Sequence, residues 1–291
     1  MTTPVSTAPP QRLAGLSALS GVNEVLLCDV FGVLHNGEWS FPAAADALVH
    51  FRQAGGSVVL LTNSPRPHGS VADQLASLGV AEAAWDAIVT SGDVTRALIE
   101  QADGPVWHLG PPRDHGLYEG LTVERTILED ARTIVCTGLF DDEREQPEDY
   151  RKLFETAVAR SLPMICANPD IVVERGERMV WCAGALARLY AELGGEVRMA
   201  GKPFAPIYDL ALQRASQVRG KPVAAADAMA IGDGMPTDVR GAIDNGVPLL
   251  FITGGIHEAE YGDDEQALRA FLHSENVSPR YFAKALQWDA P

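Results

Sequence analysis

The 291-residue chain is poor in cysteine, in aromatic side chains and in positive charge. Its four cysteines, Cys28, Cys136, Cys166 and Cys182, fall in apolar stretches and form no CxxC pair. That pattern argues against a zinc site or a disulfide framework, and for buried thiols in a reducing, cytoplasmic setting. Lysine and arginine number 23 against 39 acidic residues, a formal net charge of −16. A surface this acidic disfavours nucleic acid and anionic membranes as partners. It still admits a small anionic ligand held by a few local positive groups. No apolar run approaches the ~20 residues of a membrane-spanning helix. The opening MTTPVSTAPPQRLAGLSALSG has no basic start and no continuous apolar block, so it is expected to be a polar tail and not a secretory signal. What is present is ordinary for a globular protein: 46% hydrophobic and 21% charged residues, in a length that suits one large or two modest domains.

Two early apolar runs, VLLCDV (Val25 to Val30) and SVVLLTN (Ser57 to Asn63), have the length of buried parallel strands. Between them Ala43 to Ala54 reads as a helix closed by Gly55-Gly56. The alternation resumes late in the chain. A helix is expected over Ile207 to Gln217, a strand at AMAIGD (Ala228 to Asp233), a short helix over Val239 to Asn245 and a strand at PLLFIT (Pro248 to Thr253). The middle has its own pattern, with strands at VWHLG, TIVCTG and MICAN and a helix over Glu148 to Arg160. The reading is α/β. Residues 1–22 form a tail with a helix, 23–90 and 197–291 a discontinuous core, and 91–196 a smaller inserted α/β domain.

Chemistry is expected at the carboxyl ends of the core strands, where ligands bind in open parallel sheets. Asp29, Thr62 and Asp233 end three of them, so two carboxylates and a hydroxyl would share one crevice. Buried carboxylates repel each other unless a cation or a proton intervenes. An oxygen-rich acidic site suits Mg²⁺, which often shares such ligands with a phosphate.

The stretches VLLCDVFGVLHNG, LLTNS, GKP and GDGMPTD resemble, in order, the four motifs of the haloacid-dehalogenase-like hydrolases. These are mostly Mg²⁺-dependent phosphatases with an aspartate nucleophile. The long interval between Thr62 and Lys202 is similar to that of class IIA, the NagD-like sugar and nucleotide phosphatases, which insert an α/β cap there. NPDIVVERGERMVWCAGALARL resembles the end of that cap. The resemblance spans the chain from about residue 24 and implies a Rossmann-like core with a substrate-specificity cap. By position, it makes Asp29 the nucleophile and a metal ligand. Thr62 and the Asn63 backbone N–H would hold the phosphoryl group, and Lys202 would neutralise its charge. Asp233 and Asp238 would serve the metal with the Phe31 backbone carbonyl. It also implies a small phosphorylated metabolite as partner, and a homodimer through the cap.

One position departs from the family. Most members read DxD in the first motif, and the second acid protonates the leaving group and activates water. Here that place is Phe31. Loss of general acid–base help typically lowers a rate by ~10²–10⁴. His35 or a cap residue is a candidate substitute, or the substrate has a good leaving group. Two other readings compete. A phosphometabolite sensor would keep Thr62 and Lys202 without turnover. A metal-independent dehalogenase would have no need of both acids in GDGMPTD. Trp181 and Cys182 read as cap core, with a pocket wall as the alternative. The acidic run Asp141 to Asp149 reads as a solvated loop entering a helix.

Overall fold

The computed structural model describes residues 9–175 and 178–289. Along the described chain run strands β1 (Gln11–Arg12), β2 (Val25–Asp29), β3 (Ser57–Thr62), β4 (Ala87–Thr90), β5 (Val106–Leu109), β6 (Thr133–Cys136) and β7 (Met164–Cys166). They continue with β8 (Val172–Arg175), β9 (Arg178–Trp181), β10 (Val197–Met199), β11 (Ala228–Gly232), β12 (Leu249–Ile252) and β13 (Tyr281–Ala283). As far as they are described, Met1–Thr62, Ala72–Val89 and Tyr208–Pro291 form one compact unit, and Asn63–Val71 with Thr90–Ile207 form a second. Among the described residues no helix is long and apolar enough to cross a membrane.

The first unit is built on a sheet of order β1-β13-β12-β11-β2-β3-β4. The pairings of β1 with β13, β13 with β12, β12 with β11, β11 with β2 and β2 with β3 are all parallel. Every residue of β2, β3 and β11 is buried, which is why these strands read as unbroken apolar runs and not as alternation. From β2 the chain builds outward through β3 to β4, and from β11 it builds the other way, through β12 to β13. The order therefore switches between β2 and β11. The helix between β2 and β3, Pro42–Gln53, has Pro in its first turn and buries Ala44, Ala47, Leu48 and Phe51 on one face.

The amino-terminal segment departs from the expected loose tail. Gln11–Arg12 add β1 to the sheet edge, and the Leu13 N–H donates to the Phe282 carbonyl at 2.8 Å. Leu16–Leu19 form a 3₁₀ turn whose two leucines are buried. Burying two leucines offsets the entropy of ordering a polar stretch. The expected tail residues 1–8 lie outside the described residues.

The second unit carries a parallel sheet of order β10-β7-β6-β5 and an antiparallel hairpin of β8 and β9. Strand alternation splits its core in two. Ile134, Cys136, Met164 and Cys166 pack with Phe154 and Tyr190 of the helices Arg151–Ala159 and Ala183–Glu192. Val106, Val135 and Ile165 pack with Ile99, Leu117 and Tyr118 on the opposite face. The helix Ser91–Glu100 opens on a capping box. The Asp93 N–H donates to Thr90 Oγ1 (2.9 Å) and the Thr90 N–H to Asp93 Oδ2 (3.1 Å). The acidic run is less free than expected. Glu145 accepts from the Tyr150 hydroxyl at 2.5 Å and from the Asp141 N–H at 2.8 Å, stapling the loop to the helix it enters.

His108, on β5, sits 2.9 Å by Nδ1 from the Tyr118 hydroxyl. Burial, then the nearby His115 and Arg125, lower its pKa to about 4. Below the ordinary 6.5 the unfolded chain takes up this proton and the folded chain does not, so stability drops as pH falls from 6.5 toward 4. His108→Gln is therefore expected to flatten the decline of melting temperature between pH 7 and 4.5. An unchanged decline would show that the folded and unfolded states bind the His108 proton equally.

Candidate active site

The first unit brings three carboxylates together. Asp29 closes β2, Asp233 follows β11 directly, and Asp238 lies in a π-helical turn, Met235–Val239. β2 and β11 flank the strand-order switch, where an open parallel sheet leaves a crevice. All three carboxylates are buried, and one oxygen from each lies within 4.8 Å of the others. Backbone groups fix their orientation. The Val30 N–H donates to Asp29 Oδ1 (2.8 Å) and the Ile256 N–H to Asp233 Oδ2 (3.0 Å). The Gly234 N–H (3.2 Å) and the Thr237 hydroxyl (3.3 Å) donate to Asp238 Oδ2. Gly32 has a φ of +83°, and a Cβ there would lie 2.3 Å from Asp233 Oδ2. Glycine is thus required by backbone and by space. Thr62 is buried one residue beyond Leu61, the β3 partner of Asp29.

Three buried acids this close repel one another unless a cation or a proton intervenes. Buried and all-oxygen, the set fits a divalent cation of the Mg²⁺ kind.

The second unit brings Asn63 and Lys202 together, both buried. Asn63 Oδ1 accepts the Lys202 N–H at 2.7 Å, and Asn63 Nδ2 donates to the Lys202 carbonyl at 3.2 Å. The same Nδ2 donates to Asp170 Oδ1 at 2.9 Å. The Asn63 side chain thus clamps the lysine's backbone from both sides, a role that sequence reasoning, which used only its N–H, did not reach. Asp170 was missed as well, although it sits in the NPD stretch already singled out. So was Gly201, where a Cβ would lie 2.3 Å from Asn63 Oδ1, 2.7 Å from Pro169 Cδ and 2.9 Å from Ser91 Oγ.

Phe31 packs its ring edge-on against His35, with centroids 5.6 Å apart. His35 is buried, and its Nδ1 accepts the Gly37 N–H at 2.9 Å. The neutral ring therefore carries its proton at Nε2. A second proton at Nδ1 would break that bond, so the ring can donate a hydrogen bond but is unsuited to shuttle a proton. That bond disfavours the imidazolium form a substitute acid would use. Trp181 is likewise not cap core. It is 40% exposed on β9, near Met179 at 59%, whereas Cys182 is buried.

The haloacid dehalogenase-like hydrolase profile matches residues 26–124, and a HAD-hydrolase-like profile matches 199–285. A solved hydrolase of the haloacid dehalogenase-like family from Brucella suis 1330 is 48% identical, covering 95% of this chain and 99% of its own, with a TM-score of 0.84. The chain belongs to the haloacid dehalogenase-like family. Two more distant structures share the fold of this family member. The p-nitrophenyl phosphatase from Archaeoglobus fulgidus is 21% identical, with a TM-score of 0.69 over 90% of this chain and 96% of its own. NagD from E. coli K-12 is 20% identical, with a TM-score of 0.66 over the same shares. No curated protein matches the chain.

The clamp makes a prediction. Gly201→Ala is expected to lower the melting temperature, because its methyl group meets three packed neighbours. Gly69→Ala, in the helix His68–Ser77 with open space around it, is expected to raise it slightly. Equal melting temperatures for the two variants would contradict the crowding at Gly201.

Proposed function

We propose that the chain is a Mg²⁺-dependent phosphatase acting on a small phosphorylated metabolite, a sugar phosphate or a nucleotide, through an aspartyl-phosphate. The observation that carries the reading is the convergence of Asp29, Asp233 and Asp238 at the strand-order switch. Asp29, the Phe31 carbonyl, Asp233 and Asp238 would hold the cation, which when bound offsets charge on the phosphoryl oxygens. The Asp29 carboxylate attacks phosphorus, and the bond from phosphorus to the leaving oxygen breaks. Water then cleaves the acyl phosphate and returns Asp29. Thr62 and the Asn63 N–H are assigned to the phosphoryl oxygens and Lys202 to their charge, as phosphoryl transfer requires preorganised positive groups. Residues 91–196 are assigned to substrate selection. The four buried free cysteines are in keeping with a cytoplasmic setting.

Phe31 shapes the rate. With no carboxylic acid at this position and His35 engaged at Nδ1, neither of these two side chains is set to protonate the leaving oxygen. Substrates whose leaving group is already a weak base are therefore favoured. The same residue favours one alternative, a phosphometabolite sensor with little turnover.

The test is phosphate release from p-nitrophenyl phosphate, an acyl phosphate and a sugar phosphate, with Mg²⁺ and then with EDTA. Release is expected with Mg²⁺, abolished by EDTA and by Asp29→Asn. The activated esters should outrun the sugar phosphate by ~10² or more, the scale of missing acid catalysis. Binding of phosphorylated ligands with no release from any would favour the sensor. Release that survives both EDTA and Asp29→Asn would overturn the reading.

A further inference from the structure

The loop after β12 grips the metal-site loop at two adjacent points. Ile256 donates its N–H to Asp233 Oδ2 at 3.0 Å. The next residue, His257, accepts the Met235 N–H on its Nε2 at 3.1 Å. Met235 opens the π-helical turn that carries Asp238, and the first N–H groups of such a turn have no partner within it. His257 supplies that partner from another loop. Since Nε2 accepts, the neutral ring bears its proton on Nδ1, which lies 3.1 Å from Glu260 Oε1. Glu260 thus selects the tautomer that His257 needs.

The rest of the loop is built to hold this pair still. A Cβ at Gly255 would lie 2.1 Å from Asp233 Oδ2, so only glycine lets the loop approach this closely. The short helix Glu258–Tyr261 is tied back to the end of β12 by the Tyr261 hydroxyl, which donates to the carbonyl of Thr253, the residue after that strand, at 3.0 Å. The ring of Phe271, from helix Glu265–Ser274, lies against both His257 (5.9 Å) and Tyr261 (5.3 Å). The His257 side chain is 20% exposed and that of Glu260 45%.

We infer that His257, oriented by Glu260, is a positioning residue that sets the divalent-cation affinity of the Asp29–Asp233–Asp238 site by fixing the Met235 amide. Neither residue touches the cation. Each acts through the backbone between Asp233 and Asp238, much as outer partners tune a metal site elsewhere. The inference rests on the proposed reading of that site as a cation site.

The experiment measures Mn²⁺ binding to the full chain, without substrate, from the loss of the free-ion paramagnetic resonance signal. His257→Ala is expected to weaken binding about fivefold, the scale of one lost hydrogen bond. His257→Gln places an amide oxygen where Nε2 stood and is expected to restore the affinity to within about twofold of the native protein. Glu260→Ala, at an exposed position, should weaken it about two- to threefold, and it keeps the test open should His257→Ala not fold. The Mg²⁺ concentration giving half-maximal phosphate release should rise in parallel. Native Mn²⁺ affinity in a folded His257→Ala or Glu260→Ala protein would overturn the inference, as would His257→Gln binding no better than His257→Ala. Failure of the native protein to bind Mn²⁺ would instead overturn the cation site itself, and the inference with it.

Discussion

Mutual repulsion among three buried carboxylates is the constraint around which the first unit is organised. Asp29, Asp233 and Asp238 are held with oxygens within 4.8 Å of one another, out of water, where like charges cost most. A fold keeps such an arrangement when a cation or a shared proton relieves the repulsion. The parallel sheet makes the arrangement possible, because its order switches between the two strands that deliver Asp29 and Asp233. The surrounding backbone completes it. Val30, Gly234 and Ile256 turn N–H groups onto the carboxylates. Gly32 lets its loop come within reach of Asp233 at a backbone angle that other residues avoid.

The second unit solves a different problem, that of fixing a flexible lysine. Lys202 is held through its own peptide groups, by a two-point amide clamp from Asn63 that Asp170 braces. This spares the ammonium from having to define its own position. Phe31 stands two residues after Asp29 and takes no carboxylate from the triad.

Much of this was legible in the sequence, for physical reasons that name particular residues. Val25–Asp29, Ser57–Thr62 and Ala228–Gly232 are buried on both faces, so they stand out as apolar runs that end at Asp29, at Thr62 and just before Asp233. Asp29, Asp233 and Asp238 were found because motif order carries them. β1 was not legible, since Gln11 and Arg12 are polar and exposed, and pair only because the carboxyl-terminal strand β13 offers an edge. The hydrogen bonds from Asn63 to Lys202 and Asp170 close across more than a hundred residues. No local pattern encodes such contacts. His35 illustrates the opposite limit. Its position six residues after Asp29 was plain, but only the structure shows the Gly37 N–H donating to its Nδ1.

The central claim is that the carboxylate triad works as a phosphoryl-transfer site whose leaving group departs unaided, because Phe31 occupies the place of the acid. The most direct test is the dependence of kcat/KM on leaving-group pKa across a series of aryl and alkyl phosphates, in the native protein and in Phe31→Asp. The account predicts a steep fall with rising leaving-group pKa in the native protein and a much shallower one in Phe31→Asp. A shallow dependence in the native protein, unchanged by the substitution, would contradict it and require a proton donor other than residue 31.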